Sequence, residues 1–153
     1  MKRVVVYKPL PAALLAELQR RFEVICFDNI TAGNQAAFAA AVSRAHGMLG
    51  ANLLIDRALL EPARDMEAIA TLSVGYDNFD LAYLTERGIV LSNAPDVLTE
   101  ATADTIFALI LASARRVVEL AGIVKAGHWR HSVGPDHYGV NVHGKTLGIL
   151  GMG

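Results

Sequence analysis

Residues 3–22, RVVVYKPLPAALLAELQRRF, decide the fold that we predict for this chain. Residues 3–7 are dominated by β-branched valines, which are typical of a buried strand. Pro9 and Pro11 then interrupt the strand, and apolar residues recur at helical spacing over 12–22. A strand followed by an amphipathic helix is the repeating unit of an α/β fold.

The same order recurs up to about residue 95. We predict further strands over 24–27, 47–49, 68–72 and 89–91, and helices over 35–43, 56–63 and 80–87. Gly88 supplies a stop for the last of these helices. Because the strands are unbroken apolar runs and alternate with helices, the sequence predicts a parallel sheet with helices on both sides.

From residue 99 the pattern changes to one predicted long helix over 99–125, which contains no Pro, and no Gly before Gly122. Glu100 in its first turn and Lys125 in its last carry the charges that the helix dipole favours. Apolar residues occupy more than one face, so we expect the middle to be buried all round. That burial needs a second domain or another subunit as neighbour, although an ordinary core helix of one domain is an alternative.

The charge pattern argues against several classes of partner. The 14 Lys and Arg residues balance 15 Asp and Glu residues, and neither sign forms a run, so we expect no nucleic-acid and no membrane partner. No apolar stretch approaches the ~20 residues of a membrane span. The run of apolar residues at the amino terminus is also too short for the core of a signal peptide. We therefore expect a cytoplasmic protein.

The single cysteine and the histidines suggest structural roles. Cys26 lies in an apolar segment and is expected to be a small buried residue. His46 is interpreted as a hydrogen-bonded, partly buried residue. A cluster in the loop over 127–144 has a spacing that fits no common zinc arrangement, so we predict no metal site. Its members are His128, His131, Asp136 and His137.

The segment SVGYDN, residues 73–78, directly follows a predicted strand. In an open α/β sheet, ligands bind beyond the carboxyl ends of the strands. The backbone N–H groups of Val74, Gly75 and Tyr76 could hold a carboxylate there, with no side chain at Gly75 to obstruct it. A simple turn is the alternative.

The segment TLGILGMG, residues 146–153, predicts a strand that leads into a Gly-x-Gly turn. Gly151 and Gly153 would begin the phosphate-binding fingerprint of a Rossmann fold. Taken alone, a plain tail explains these residues equally well.

Four segments in order resemble the D-isomer-specific 2-hydroxyacid dehydrogenases, and among them the bacterial glyoxylate/hydroxypyruvate reductases that also reduce 2-ketogluconate. The resemblance covers the whole chain, more loosely over the first seventy residues. The segments are LSVGYDNFDL at 72–81, RGIVLSNAPDVLTEATADTIFALILASARRVVE at 87–119, VKAGHW at 124–129 and HGKTLGILGMG at 143–153.

The resemblance implies a fold and a division into domains. Residues 1–98 would form a flavodoxin-like substrate domain. Residues 99–153 would begin a Rossmann-like dinucleotide-binding domain with the crossing helix, a loop and the first strand. In the family this helix packs between domains and helps to pair two subunits, so the resemblance implies a homodimer.

The resemblance also implies site residues. The main-chain N–H groups of Val74, Gly75 and Tyr76 would hold the substrate carboxylate, with Ser73 and Leu98 nearby. On the cofactor side, the corresponding positions are Thr105 at the nicotinamide end and Gly151 and Gly153 in the fingerprint.

The implied activity is reduction of a small 2-keto acid to the D-2-hydroxy acid with NAD or NADP as the cofactor. The catalytic Arg, Glu and His of the family follow the fingerprint and have no counterpart in these 153 residues, so we expect the chain alone to be inactive. The alternative is a non-catalytic dinucleotide-sensing or dimerisation module of the same fold.

Overall fold

A five-stranded parallel sheet forms the centre of the first part of the chain, in a computed structural model that describes residues 1–151. The strand order is β2-β1-β3-β4-β5, and every neighbouring pair is parallel. This order is the flavodoxin-like one and confirms the predicted α/β fold. The strands are β1 (Arg3–Val6), β2 (Glu23–Cys26), β3 (Gly47–Gly50), β4 (Ala68–Thr71) and β5 (Val90–Ser92).

The helices of this region follow the predicted order. They are α1 (Ala12–Arg21), α2 (Gln35–Val42), α3 (Arg57–Leu60) and α4 (Leu81–Arg87). Asp56 and Asp80 cap α3 and α4, since each carboxylate accepts a backbone N–H bond of 3.0 Å from the first turn. Gly88 ends α4 with φ +66°, which confirms the predicted stop. The helix α3 is shorter than predicted because Pro62 has no backbone N–H with which to continue the helical hydrogen bonds.

The core lies under the sheet's central strands, where apolar side chains are wholly buried. Tyr7 follows β1, is 2% exposed and packs edge-on against Phe38 at 6.0 Å between ring centroids. A Cβ atom at Gly50 would lie 2.5 Å from the Tyr7 ring, so only glycine fits there. The largest fully buried side chains are Val5, Val6, Val42, Ile55, Leu60 and Ile69.

The chain divides into two compact units, Met1–Val97 and Leu98–Gly153. In the second unit, the prediction of one helix over 99–125 is wrong. The structure has two helices, α5 (Thr99–Ala114) and α6 (Val117–Lys125), followed by a short 3₁₀ turn at Pro135–His137.

Local and sequence-distant contacts meet at the break between α5 and α6. Arg116 adopts the left-handed conformation with φ +55°, and its guanidinium binds the Glu119 carboxylate and donates to the Asp136 carbonyl. The Ala114 carbonyl accepts the Val140 N–H at 2.8 Å, so the loop terminates α5.

The predicted strand over 146–150 is not formed either, since these residues have irregular backbone. A strand is stable only when a neighbour completes its hydrogen bonds, and residues 98–151 contain no strand to pair with it. Leu150 is accordingly fully exposed.

No residue of α5 or α6 is buried. The interpretation of 99–125 as an ordinary core helix is therefore wrong. The expected burial all round is not observed within residues 1–151. Within the same residues, no helix combines the length and apolar character that crossing a membrane demands.

Two tyrosines of the core make a matched pair for a stability test. The Tyr7 hydroxyl is buried and has no hydrogen-bond partner among residues 1–151, and burial raises the pKa of Tyr7 to about 12. The Tyr83 hydroxyl, by contrast, accepts a 2.9 Å hydrogen bond from Arg87.

We expect Tyr7→Phe to raise the free energy of unfolding by about 1 kcal/mol, because it removes a buried, unpaired polar group. Tyr83→Phe should lower it by about the same amount, because Arg87 loses an acceptor. Urea denaturation measures both changes, and a larger loss for Tyr7→Phe than for Tyr83→Phe would contradict the assignment.

The free energy of unfolding should also depend on pH. A folded-state pKa above the ordinary value of 10 means that the unfolded chain loses the Tyr7 proton first. The wild-type chain should therefore lose stability as the pH rises from 10 to about 12, and Tyr7→Phe should lack this component of the loss.

Candidate functional site

The loop over 73–78 directly follows β4, at the carboxyl edge of the sheet, and both of its ends are anchored. At its start, the Ser73 N–H donates to the Thr71 hydroxyl at 3.2 Å. At its end, the Asn78 side chain donates to the Leu53 carbonyl at 2.6 Å, and the Asn78 carbonyl accepts the Ile55 N–H at 2.9 Å. The segment between these anchors is therefore held at a fixed place on the sheet.

Three consecutive backbone donors in this loop have no partner. The N–H groups of Val74, Gly75 and Tyr76 make no hydrogen bond to any atom of residues 1–151. The side chains of Val74 and Tyr76 are 41% and 47% exposed, so the loop is accessible to a ligand. Successive amides without a partner among residues 1–151 could hold an anion, and we call residues 74–76 the amide seat.

The fold does not require a glycine at position 75. Its φ is not in the left-handed region, and a Cβ atom added there would have the Asp77 carboxylate as its nearest neighbour, at 3.8 Å. The space above its backbone is therefore open. A small carboxylate can approach this backbone more closely than it could approach a residue with a side chain.

An open groove of about 260 Å³ lies beside the amide seat. Tyr76 belongs to both, and the remaining groove residues are Leu81, Leu91 and Asn93. The groove combines apolar walls with one amide side chain, which is the usual composition of a site for a small organic molecule.

The structure brings Ser73, Val74, Gly75 and Tyr76 together in this one loop. Leu98 precedes the first turn of α5 in the second unit and is 52% exposed. Thr105 lies on α5, where its hydroxyl donates to the Ala101 carbonyl of the same helix at 2.9 Å.

The two fingerprint glycines can be compared with the structure only at Gly151, because Gly153 lies outside the described residues. Gly151 has φ +79°, and no atom lies within 4 Å of the position that a Cβ would take. A left-handed residue with open space above it suits the tight turn that brings a backbone to a pyrophosphate.

The interpretation of His46 as a hydrogen-bonded, partly buried residue is confirmed. The residue is half-buried, and its Nδ1 accepts the Arg3 N–H at 3.2 Å. The prediction for Cys26 is wrong, since the residue is exposed on β2, the outermost strand of the sheet. Partial burial and the nearby Asp28 raise the pKa of the Cys26 thiol, which keeps it protonated and weakly nucleophilic.

The loop histidines do not form a metal centre in the part of the chain that the structure describes. His128, His131 and His137 line a small cavity of about 60 Å³ beside Trp129. No group of three or more side chains there is arranged to hold a metal ion.

One residue of the site was not singled out from the sequence. The Asn93 side chain donates to the Val74 carbonyl at 2.8 Å, and the neighbouring Ala94 N–H donates to the Ser73 carbonyl at 3.1 Å. The available clue was its position directly after β5, because the carboxyl ends of adjacent parallel strands meet at one edge.

Comparison with known proteins agrees with this geometry. Glyoxylate/hydroxypyruvate reductase B of Yersinia enterocolitica is 51% identical over 150 residues, which are 98% of this chain and 46% of that protein. The reductase B of Yersinia pestis matches to the same extent. The chain thus spans about half the length of the curated relatives it matches.

Solved structures match over the same range. The TT0316 protein of Thermus thermophilus superposes with a TM-score of 0.88 at 38% identity, covering 99% of this chain and 49% of that one. An NADPH-dependent glyoxylate/hydroxypyruvate reductase of Sinorhizobium meliloti, in complex with NADP and malonate, gives a TM-score of 0.75 at 27% identity, covering 99% and 46%.

The family model for the catalytic domain of the D-isomer specific 2-hydroxyacid dehydrogenases matches residues 4–141. The ordered segments, the sheet topology and these relatives lead to the same conclusion: the chain belongs to the D-isomer specific 2-hydroxyacid dehydrogenase family.

Proposed function

We propose that this chain provides the carboxylate-binding part of an oxidoreductase that reduces a small 2-keto acid to the D-2-hydroxy acid. The observation that supports it most directly is the amide seat, three exposed and unpaired N–H groups at the carboxyl edge of the sheet. Hydrogen bonds from backbone N–H groups to a carboxylate are charge-assisted and short. They would hold the acid group while leaving its keto carbon free to react.

We assign the two units to the two parts of such an enzyme. Residues 1–98 form the substrate domain, and residues 99–153 begin the dinucleotide-binding domain. The boundary between the compact units, after Val97, supports this assignment.

The proposed substrates are glyoxylate, hydroxypyruvate and 2-ketogluconate. The names of the reductase relatives support the first two. All three acids share the 2-keto carboxylate that the amide seat would hold, and they differ in the group attached to the keto carbon.

The proposed cofactor is NADH or NADPH, which when bound would supply a hydride to the keto carbon. The backbone at Gly151 and Gly153 would approach its pyrophosphate, and Thr105 would lie at its nicotinamide end. The left-handed conformation of Gly151 supports the first of these roles.

We further propose that this chain alone performs no reduction, since a ketone reduction also needs a proton donor. His46, the one histidine of the first unit, precedes β3 and therefore lies at the amino edge of the sheet, opposite the amide seat. The chain supplies binding groups, and the proton would come from residues outside it.

A chimaeric enzyme tests this proposal. Residues 1–153 fused to the complementary half of the Yersinia enterocolitica reductase B should oxidise NADH or NADPH in the presence of one of the three acids, while the chain alone should not. Absorbance at the nicotinamide band measures the reaction. A folded chimaera that binds dinucleotide but turns over none of the acids would favour the non-catalytic dinucleotide-sensing or dimerisation module instead.

Gly75→Val should raise the KM for the keto acid in this chimaera by about 10- to 100-fold, because the new side chain blocks one or two charge-assisted hydrogen bonds. The KM for the dinucleotide should change little. Gly33→Val is the matched control, since Gly33 also has open space and lies in another loop of the same unit. Equal losses for acid and dinucleotide would argue against the amide seat.

We also propose that α5 pairs two copies of this chain. Its apolar side chains are exposed, with Ile106, Phe107 and Leu109 at 51%, 59% and 65%. Exposed apolar side chains that share one helix are typical of a protein interface.

The chain should sediment as a dimer, and Leu109→Glu should convert it to a monomer because a charge would be buried at the interface. Leu54→Glu is the control, because Leu54 is 66% exposed and lies outside α5. Sedimentation velocity distinguishes the two species. A monomeric wild-type chain, or equal effects of the two substitutions, would refute pairing through α5.

A further inference from the structure

We propose that Asn93 is a positioning residue for the amide seat. Its side chain orients the seat by donating a hydrogen bond to the Val74 carbonyl. This inference rests on the proposed function for the identity of the ligand, a small carboxylate. Asn93 itself need not touch that ligand.

The argument follows from the planarity of the peptide bond. In a trans peptide the carbonyl of one residue and the N–H of the next point in opposite directions. The Asn93 side chain holds the Val74 carbonyl at 2.8 Å, so it fixes the plane that also contains the Gly75 N–H. It thereby turns that N–H away from β5 and towards the open side of the loop.

The adjacent residue does the same for the preceding peptide. The Ala94 N–H donates to the Ser73 carbonyl at 3.1 Å, and this bond fixes the plane that contains the Val74 N–H. Two consecutive residues after β5 therefore orient two consecutive donors of the seat. We call this pair of hydrogen bonds the rear brace.

The third donor has no such support. The Gly75 carbonyl accepts no hydrogen bond from residues 1–151, so nothing there fixes the plane that contains the Tyr76 N–H. The seat thus has two donors whose peptide planes are held by hydrogen bonds, at Val74 and Gly75, and one donor, at Tyr76, whose peptide plane is not held in this way. Pre-orientation strengthens binding because the ligand no longer has to order the backbone.

The two parts of the brace differ in how they can be tested. The hydrogen bond from Ala94 is donated by its backbone N–H and does not depend on a side chain. The hydrogen bond from Asn93 is donated by its side-chain amide and can be removed by substitution. Asn93 is half-buried, lines the groove beside Tyr76 and makes no second hydrogen bond within the described residues, so the loss of hydrogen bonding on its removal should be confined to the loop.

The test uses the ¹⁵N-labelled chain, with amide order measured by ¹⁵N relaxation and binding by titration with sodium glyoxylate. Asn93→Ala should increase the motion of the Gly75 amide while β4 and β5 stay ordered. It should also weaken glyoxylate binding at Val74 and Gly75 by roughly ten-fold, the effect of freeing about one residue of backbone. Asn93→Gln, which keeps the donor, should recover part of both.

Asn29→Ala is the matched control, because the Asn29 side chain lies in another exposed loop and makes no hydrogen bond within residues 1–151. It should leave the order of Gly75 and the affinity for glyoxylate unchanged. In the chimaera, Asn93→Ala should raise the KM for the keto acid with little change in kcat. A merely destabilising substitution would instead lower the amount of active enzyme.

The outcomes separate this inference from the proposed function. If Asn93→Ala leaves the Gly75 amide as ordered as in the wild-type chain, the positioning role is wrong whether or not glyoxylate binds. If the wild-type chain shows no glyoxylate response at 74–76, the carboxylate seat is wrong, and the relaxation data still decide whether Asn93 orders the loop.

Discussion

The site depends on a constraint of the main chain: a backbone N–H group that forms no hydrogen bond within a fold must find a partner in water or in a ligand. At the end of β4 the chain leaves three such groups in succession, at Val74, Gly75 and Tyr76, and keeps them exposed. Exposed amides of this kind can bond to water in the absence of a ligand. In the proposed function, a carboxylate would replace that water with shorter, charge-assisted bonds, and the loop would need no basic side chain to hold an anion.

The parallel sheet makes this arrangement possible. Its strands end at one edge, so the loops that follow β3, β4 and β5 are neighbours although they are far apart in sequence. The loop after β3 anchors the far end of the seat through Asn78, and the residues after β5 hold its rear through Asn93 and Ala94. The Asn93 and Ala94 bonds engage carbonyl groups of the seat loop, the Asn78 bond engages a side chain, and none of them uses the N–H groups of residues 74–76.

The sequence predicted the structural features that depend on residues close together in the chain. The strands are recognisable as apolar runs and Gly88 as a helix stop, because each of these features depends on a few neighbouring residues. The break at Arg115 and Arg116 could not be predicted in this way, since no Pro or Gly lies there. The α5 helix ends because the Ala114 carbonyl bonds the Val140 N–H, a contact between residues twenty-six positions apart.

In the candidate site, too, some residues could be recognised from local sequence and others only from the fold. The position of residues 74–76 after a strand suggested accessible amides, with a simple turn as the alternative, whereas Asn93 could be recognised only once β5 was seen to lie beside β4. The missing strand over 146–150 has a related cause, because strand formation is a property of a pair of segments.

The chemistry of the amide seat also bears on how the complete enzyme would respond to pH. Main-chain amides neither gain nor lose a proton in the physiological range, so a seat built from them holds a carboxylate equally well wherever the acid itself is ionised. In the proposed enzyme, a pH dependence of the reduction would therefore be expected from the proton donor and not from the amide seat.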